Sequence, residues 1–373
     1  MPNNDARIRV LLVIAGLPAG GAERQMSLLV KGLDRTKFEV GLLIFNSAEK
    51  IHYRDALNSP LWFRALELSA TRDKLTLIPK LVLGIRRAII DFKPEIIHTT
   101  LNVANHAVRF AAHITRCKIP IITSVRVDFR AGYGRREKQM ERLLWRRSNH
   151  IICNSETTRQ QLTLDLGIPD HRISTIHNGI DDVFFSVDAE RPAHWPKGRV
   201  ALTVGRFSQQ KNHLALVDAI AKLEKRRILA DWSFVFLGEG PLQAEVLTHI
   251  DQHALQNRIH IVSTMQNMPS AYRNADLFIL PSLFEGMSNA LLEAAASRCP
   301  ILVGHGADEA GIINNERGWI AGASLSDILE TVLSLTEEER ILKGQRAAAY
   351  IAQNFSVKKV VEKTVDVYRT TLN

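Results

Sequence analysis

The sequence predicts an α/β protein made of two doubly wound, parallel-sheet domains in tandem, and three observations carry that reading. Short β-branched runs alternate with longer stretches of helical periodicity along the whole chain. Those runs are nearly continuous in apolar character, as expected for parallel strands covered on both faces. The alternation pauses once, over Asp181 to Gly198, where Pro192, Trp195, Pro196 and several charges replace it. That segment reads as an interdomain linker, after which the pattern restarts.

The strand candidates of the first half are Ile8–Ile14, Val40–Phe45, Ile96–His98, Ile121–Val125, His150–Cys153 and Ile173–His177. Those of the second are Val200–Val204, Phe234–Leu237, Ile259–Val262, Leu277–Leu280 and Ile301–Val303. Between the first two, Met26, Leu29, Val30 and Leu33 recur at helical spacing. Arg7 and Arg9 before the apolar run Val10 to Leu17 also permit a short signal peptide. The strand reading is preferred, because the following helix needs that run as a packing partner. Ligands of doubly wound sheets bind beyond the carboxyl ends of the strands, so two such edges facing each other make a cleft. The expected domains are 1–185 and 186–355, with a helix over about 356–373 packing back on the first.

Composition narrows the function classes. The chain has 373 residues, with 46% hydrophobic and 23% charged, an ordinary globular balance. Cys117, Cys153 and Cys299 are odd in number and far apart, which argues against a disulfide framework or zinc site and for a reducing cytoplasm. No uncharged run reaches the roughly 18 residues needed to span a bilayer. Net charge is +9, and residues 1–183 hold 28 Lys+Arg against 18 Asp+Glu, so the basic excess lies wholly in the first half. It concentrates in Arg126, Arg130, Arg135, Arg136, Lys138, Arg142, Arg146 and Arg147, against Asp128, Glu137 and Glu141. Leu143, Leu144 and Trp145 are interleaved with these charges. Basic residues beside exposed Trp and Leu suit a helix lying on an anionic membrane surface; the alternative is a solvated basic face with Leu143, Leu144 and Trp145 packed inward. No nucleic-acid motif accompanies the charge, so nucleic acid is not expected as a partner.

Four strand ends carry candidate chemistry. The first runs into Gly16-Leu17-Pro18-Ala19-Gly20-Gly21 before a helix, where glycines admit a ligand close to the backbone and a helix N-terminus favours an anion. The pattern is not a dinucleotide fingerprint. Val204-Gly205-Arg206 and Lys211 set two cations after a strand, suited to a diphosphate. Gly238 and Gly240 mark a third turn. The fourth, Pro281 to Ala294, places Glu285 in a loop and starts a helix near Ser288, with Glu293 eight residues further on. Along a helix that spacing is roughly 12 Å, long for one scissile bond but suited to two ends of one ligand. The apolar neighbours of Glu293 predict a largely buried helix, where an unpaired carboxylate is costly.

Gly20-Gly21-Ala22-Glu23-Arg24, His177-Asn178-Gly179-Ile180-Asp181, Val204-Gly205-Arg206 with Lys211-Asn212, Leu237-Gly238-Glu239-Gly240-Pro241 and Glu285-Gly286 through Glu293 resemble glycosyltransferase family 4, retaining transferases of GT-B fold. The resemblance covers nearly the whole chain. It implies two Rossmann-like domains, donor bound mainly by the second and acceptor by the first. It implies a nucleotide-sugar donor as substrate (a UDP-sugar favoured over a GDP-sugar), with no cofactor and no metal. The basic excess of that first domain in turn points to a lipid-linked saccharide acceptor, in surface polysaccharide or glycolipid assembly at the inner face of the plasma membrane. By this resemblance Arg206, Lys211 and Glu285 are catalytic, with Gly21 near the diphosphate and Glu293 on the ribose. Gly20, Gly205, Gly238, Gly240, Gly286, Met287, Ser288 and Asn289 would complete the donor site. Ser263 to Gln266, with Met265, would read the base through backbone groups. Many relatives have a histidine after the strand Ile121–Val125; here Ser124-Val125-Arg126 places an arginine, a candidate for an acceptor phosphate or carboxylate. His98 and Asn102 are further acceptor candidates, with His106 nearby. An epimerase of similar fold, or a non-catalytic nucleotide-sugar-binding subunit, are the alternatives.

Overall fold

The computed structural model describes residues 7–18, 20–46, 53, 62–68, 74–186, 190–263, 265 and 267–373. The chain divides into two compact units, Met1–Gly179 with Val357–Asn373, and Ile180–Ser356.

The first unit opens with β1 (Ile8–Ile14), α1 (Gly21–Gly32), β2 (Phe38–Ile44), β3 (Trp62–Ala65), α2 (Lys74–Phe92), β4 (Ile96–Thr100) and α3 (Asn102–Ile114). It continues through β5 (Ile121–Val125), α4 (Phe129–Gly132), α5 (Arg135–Leu144), β6 (His150–Cys153), α6 (Glu156–Leu166) and β7 (Ile173–Thr175). Seven strands form one parallel sheet in the order β3-β2-β1-β4-β5-β6-β7. The apolar run that opens the chain is therefore a central strand: Val10 to Ile14 are fully buried, and Val10 pairs with Val40 on one side and Ile96 on the other. The strand order reverses between β1 and β4, the point at which doubly wound sheets present ligand crevices.

The second unit holds β8 (Arg199–Val204), α7 (His213–Lys225), β9 (Trp232–Leu237), α8 (Gln243–Gln252), β10 (Ile259–Val262), α9 (Met268–Arg273), β11 (Leu277–Leu280), α10 (Asn289–Ala296) and β12 (Ile301–Val303). The short β13 (Trp319–Ile320), α11 (Leu325–Ser334) and α12 (Glu337–Asn354) complete it. Its sheet runs β10-β9-β8-β11-β12-β13, parallel throughout. The last helix, α13 (Val357–Leu372), belongs to the first unit, where Val361, Val367 and Tyr368 share a core with Val10, Leu12 and Met26.

Two sequence expectations change here. Asp181 to Gly198 is not a free linker: Phe184 and Trp195 are buried in the core of the second unit beside Val200 and Tyr272. Its prolines and charges hide the periodicity, but two aromatics suffice to anchor it. Leu144 and Trp145, expected as exposed membrane anchors, are 8% and 5% exposed and pack inward. Only Leu143 of that trio, 74% exposed, faces out.

Candidate active site

The carboxyl-end loops of the second unit are stitched to one another. Leu283 N donates to Gln210 O at 2.9 Å, and Gln210 Nε2 donates to Phe284 O at 2.9 Å. Asn212 adopts the left-handed conformation, φ 55°, and its side chain donates to Pro281 O at 3.3 Å. These bonds bring the loop after β8 against the loop after β11. As a result Lys211 Nζ lies 2.5 Å from Glu285 Oε1, which also accepts from Ser282 Oγ at 2.7 Å. Gln210 Nε2 reaches Glu285 Oε2 at 3.4 Å. Glu285 is 8% exposed, and its own N–H donates to Gly306 O at 3.1 Å. The two groups assigned separate duties from sequence thus form one pair. Low local dielectric makes such a pair strong, and the loss of either member costly to the other.

Arg206 is exposed and makes no ion pair or hydrogen bond among the described residues. It is a cation free to meet a ligand. The stem of Lys211 lies over Gly205, whose added Cβ would meet Lys211 Cδ at 3.1 Å. Gly238 and Gly240 are also required by the protein's own packing. A Cβ on Gly238 (φ 145°) would sit 2.2 Å from Gly205 O, and one on Gly240 2.4 Å from Phe207 O. Their smallness lets the loop after β9 close on the loop after β8, sealed by Phe207 N to Glu239 O at 3.1 Å.

Helix α10 starts at Asn289, with Ser288 Oγ capping Leu291 N at 3.4 Å. Glu285 therefore lies outside the helix, and the estimate of roughly 12 Å for its separation from Glu293 does not apply. Glu293 is 7% exposed, in the buried setting its apolar neighbours predicted. Asn289 and Gly286 are partly exposed at the helix start. Met287 and Met265 are partly buried against the core. Thr264 and Gln266, in the segment expected to read the base, lie outside the described residues.

In the first unit, Gly20 precedes α1 as its N-cap and Gly21 is its first residue. The Gln25 side chain donates to Gly179 O at 2.9 Å and accepts from Gly179 N at 2.7 Å, which ties α1 to the His177-Asn178-Gly179 motif. His98 is withdrawn as an acceptor ligand. It is 1% exposed, with Nδ1 2.6 Å from Tyr368 Oη and Nε2 2.8 Å from Ser124 Oγ. Burial first, and Arg126 second, hold its pKa near 3, so it is a neutral structural bridge between the sheet and α13. Asn102 opens α3 and donates to Glu137 at 3.3 Å, leaving a buried Oδ1 without a partner. Arg126 follows β5 and donates through Nη1 to Asn178 Oδ1 at 3.1 Å.

Two buried groups escaped sequence reading. Arg109 makes a bidentate pair with Glu141 at 2.6 Å on both oxygens, and His106 Nε2 lies 3.0 Å from Glu141 Oε2. Burial raises the Glu141 pKa, but Arg109 and His106 outweigh it and hold it near 2. His213 stacks on Phe207 at 4.4 Å beneath the Lys211 loop, and burial, then Lys211, pushes its pKa to about 4. Neither stands in a motif; each is recognised only when the helices pack. Among the described residues, one group, Asp218, His249 and His253, has ligand atoms close enough for a metal. Asp218 lies on α7, His249 on α8 and His253 just after it, and Asp218 lines a cavity together with Asn212, Pro281 and Ser282.

Residues 19–184 match the family model described as glycosyltransferase family 4, and residues 198–338 match that of glycosyl transferases group 1. The chain belongs to glycosyltransferase family 4. A Campylobacter jejuni relative, N-acetylgalactosamine-N,N'-diacetylbacillosaminyl-diphospho-undecaprenol 4-alpha-N-acetylgalactosaminyltransferase, is 26% identical over 362 residues, covering 91% of this chain and 93% of its own. The Escherichia coli UDP-Gal:alpha-D-GlcNAc-diphosphoundecaprenol alpha-1,3-galactosyltransferase is 22% identical over 355 residues, covering 90% of each chain. Among solved structures, Anabaena HepE in complex with UDP and glucose aligns with a TM-score of 0.81 at 16% identity, covering 98% of this chain and 100% of its own. A glycosyltransferase from Rickettsia africae aligns at 0.80 and 18% identity, covering 98% and 99%. These similarities give the glycosyltransferase its fold, two Rossmann-like domains of GT-B type.

Proposed function

We propose that this glycosyltransferase moves a sugar, with retention and without a metal, from a UDP-sugar to a lipid-linked saccharide in surface polysaccharide assembly. The observation that carries the reading is the Lys211–Glu285 pair, seated with Ser282 and Gln210 in the loops that also bear Arg206 and the start of α10. The names of the Campylobacter and Escherichia relatives, each with a diphospho-undecaprenol acceptor, support the lipid-linked part.

The anomeric C–O bond of the donor breaks with its electrons passing to the diphosphate. Arg206, Lys211 and the N–H groups opening α10 stabilise that charge. Glu285 holds the donor sugar and orients Lys211; Glu293 accepts from the ribose diol. The acceptor hydroxyl attacks the same face the diphosphate leaves, and its proton goes to the departing oxygen. The first unit holds the acceptor, and the protein works from the cytoplasmic side against anionic lipid.

The test is a thermal-shift panel of UDP- and GDP-sugars, followed by transfer to a synthetic diphospholipid sugar in excess EDTA. Ligand at a hundred times its Kd raises stability by about 2.7 kcal/mol. A UDP-sugar should stabilise, and transfer should persist with an unchanged anomeric configuration by NMR. Loss in EDTA restored by Mg²⁺, or epimerised nucleotide-sugar formed without acceptor, would overturn the reading.

A further inference from the structure

Arg126 is a cation whose surroundings supply no countercharge. It sits immediately after β5, at the carboxyl edge of the first sheet, one strand from the order reversal between β1 and β4. No carboxylate lies within ion-pair distance of it among the described residues. The groups around it are neutral: Asn178 accepts one of its hydrogen bonds, and Asn154 donates to its carbonyl. His98 is held uncharged, and the Cys153 thiol and Tyr368 phenol are both pushed upward by burial. The Nε of Arg126 is buried with no partner. Burial pulls the Arg126 pKa down to about 10, while part of its surface stays open. The fully buried arginine of this unit, Arg109, meets Glu141 through two bonds. A desolvated guanidinium lacking such a partner is unfavourable until an anion arrives. Its planar fork suits two oxygens of one phosphate.

We infer that Arg126 binds a phosphate of the acceptor, and that this phosphate lies close to the sugar that is extended. Neighbouring strands are about 4.8 Å apart, so a ligand at the β1–β4 crevice and an anion on Arg126 are separated by about one sugar ring. The acceptor is then a short one: a single sugar joined to a lipid diphosphate rather than the far end of a long neutral chain. The preceding reaction must be of the class that joins a sugar 1-phosphate to a lipid phosphate. The inference rests on the proposed transferase reading and narrows its acceptor.

The test measures binding and transfer on three acceptors with the same sugar type and a short alkyl chain: a glycosyl diphosphate, a neutral alkyl glycoside and an alkyl uronide. Binding is measured by calorimetry in an Arg206→Ala, Lys211→Ala background, so that the expected donor-diphosphate cations cannot bind the probe. A hydrogen-bonded charged pair predicts a preference of about 10-fold or more for the diphosphate over the neutral glycoside. Arg126→Gln should bring that preference to within about threefold, and Arg126→Lys should keep part of it. Near-ultraviolet circular dichroism checks that each variant is folded. Equal affinity for diphosphate and neutral glycoside in the Arg126-containing protein, or an undiminished preference in folded Arg126→Gln, would overturn the inference. Equal affinity for the uronide would reassign Arg126 to a sugar carboxylate. Transfer by the protein with Arg206 and Lys211 intact separates the two readings. Equal transfer to diphosphate and neutral acceptors sinks only this inference, whereas no transfer from any donor sinks the transferase reading beneath it.

Discussion

The carboxyl edges of the two sheets solve opposite electrostatic problems. In the second unit Lys211 and Glu285 neutralise each other before any ligand is present, and Ser282 and Gln210 also donate to the carboxylate. In the first unit Arg126 faces neutral amides, a neutral imidazole and a phenol. A paired site is preorganised: it spends little on reorganisation when charge develops during bond cleavage. An unpaired cation is a recognition element, stabilised only when its anion binds. On the proposed reading, chemistry falls to the second unit and acceptor selectivity to the first.

The largest expected effect attacks the paired side. Lys211→Ala and Glu285→Gln should each lower turnover by roughly 10²–10³, as loss of one preorganised donor does elsewhere. Because the two side chains share a bond, the double variant should cost much less than the product of the singles. Multiplicative losses in kcat would show that the pair seen here does not act as a unit. Arg206→Ala has no internal partner to disturb, so its loss should appear in turnover alone, without a change in melting temperature.

Acid should separate the units next. His98 is neutral in the fold with a pKa near 3, so the unfolded chain takes up its proton first as pH falls below about 6.5. Stability is fully present above that value and declines as pH falls toward 3. For His98 alone the loss by pH 5 is about 2 kcal/mol. The second unit contributes less: among its described histidines only His213 is comparably depressed, to about 4, whereas the first unit also holds His150, pushed to about 4 by burial and then Arg172. Glu141, held near 2, adds a second loss between about 4.5 and 2, again in the first unit. Urea unfolding followed against pH should show the first unit failing first. A slope unchanged in folded His98→Gln would place the acid sensitivity elsewhere.

A smaller effect concerns Glu293. Its replacement by Gln should weaken UDP binding by about 10-fold, the worth of a charged hydrogen bond, and leave kcat nearly intact at saturating donor. Equal UDP affinity by calorimetry would remove it from the ribose.

Much of this comparison was legible in the sequence, and the reasons it stopped are specific. Strands such as Ile121–Val125 and Leu277–Leu280 were readable because both faces are covered and the apolar run is unbroken. Trp62–Ala65 and Trp319–Ile320 were not, being short edge strands with half-exposed residues. The burial of Glu293 followed from its neighbours. The pairing of Lys211 with Glu285 could not, since 74 residues separate them and only the loop-to-loop bonds of Gln210 and Asn212 bring them together. Gly238 and Gly240 were visible as turns, but the backbone of the neighbouring loop that packs on them was not.

The smallest effect per side chain tests whether the open charge of the first unit extends to a membrane. Of the eight basic residues from Arg126 to Arg147, several are already engaged. Arg126 lies in the sheet edge, Arg130 is paired with Asp165 at 2.8 Å, Arg146 stacks over Trp145, and Arg147 donates to Ala112 and Cys117 carbonyls. Trp145 is buried, so any hydrophobic anchor would be Leu143 with help from Met140, 36% exposed. Arg135, Arg136 and Arg142 remain exposed on α5. At about 1 kcal/mol per basic residue near an anionic surface, three of them hold a protein weakly and reversibly. Co-sedimentation with vesicles containing anionic lipid should therefore be evident at low salt and largely lost at high salt, where the charges are screened. Changing Arg135, Arg136 and Arg142 together to Glu should abolish it, whereas Leu143→Ser should only weaken it. Equal recovery with neutral and anionic vesicles would reject the membrane face and leave α5 as a solvated basic helix.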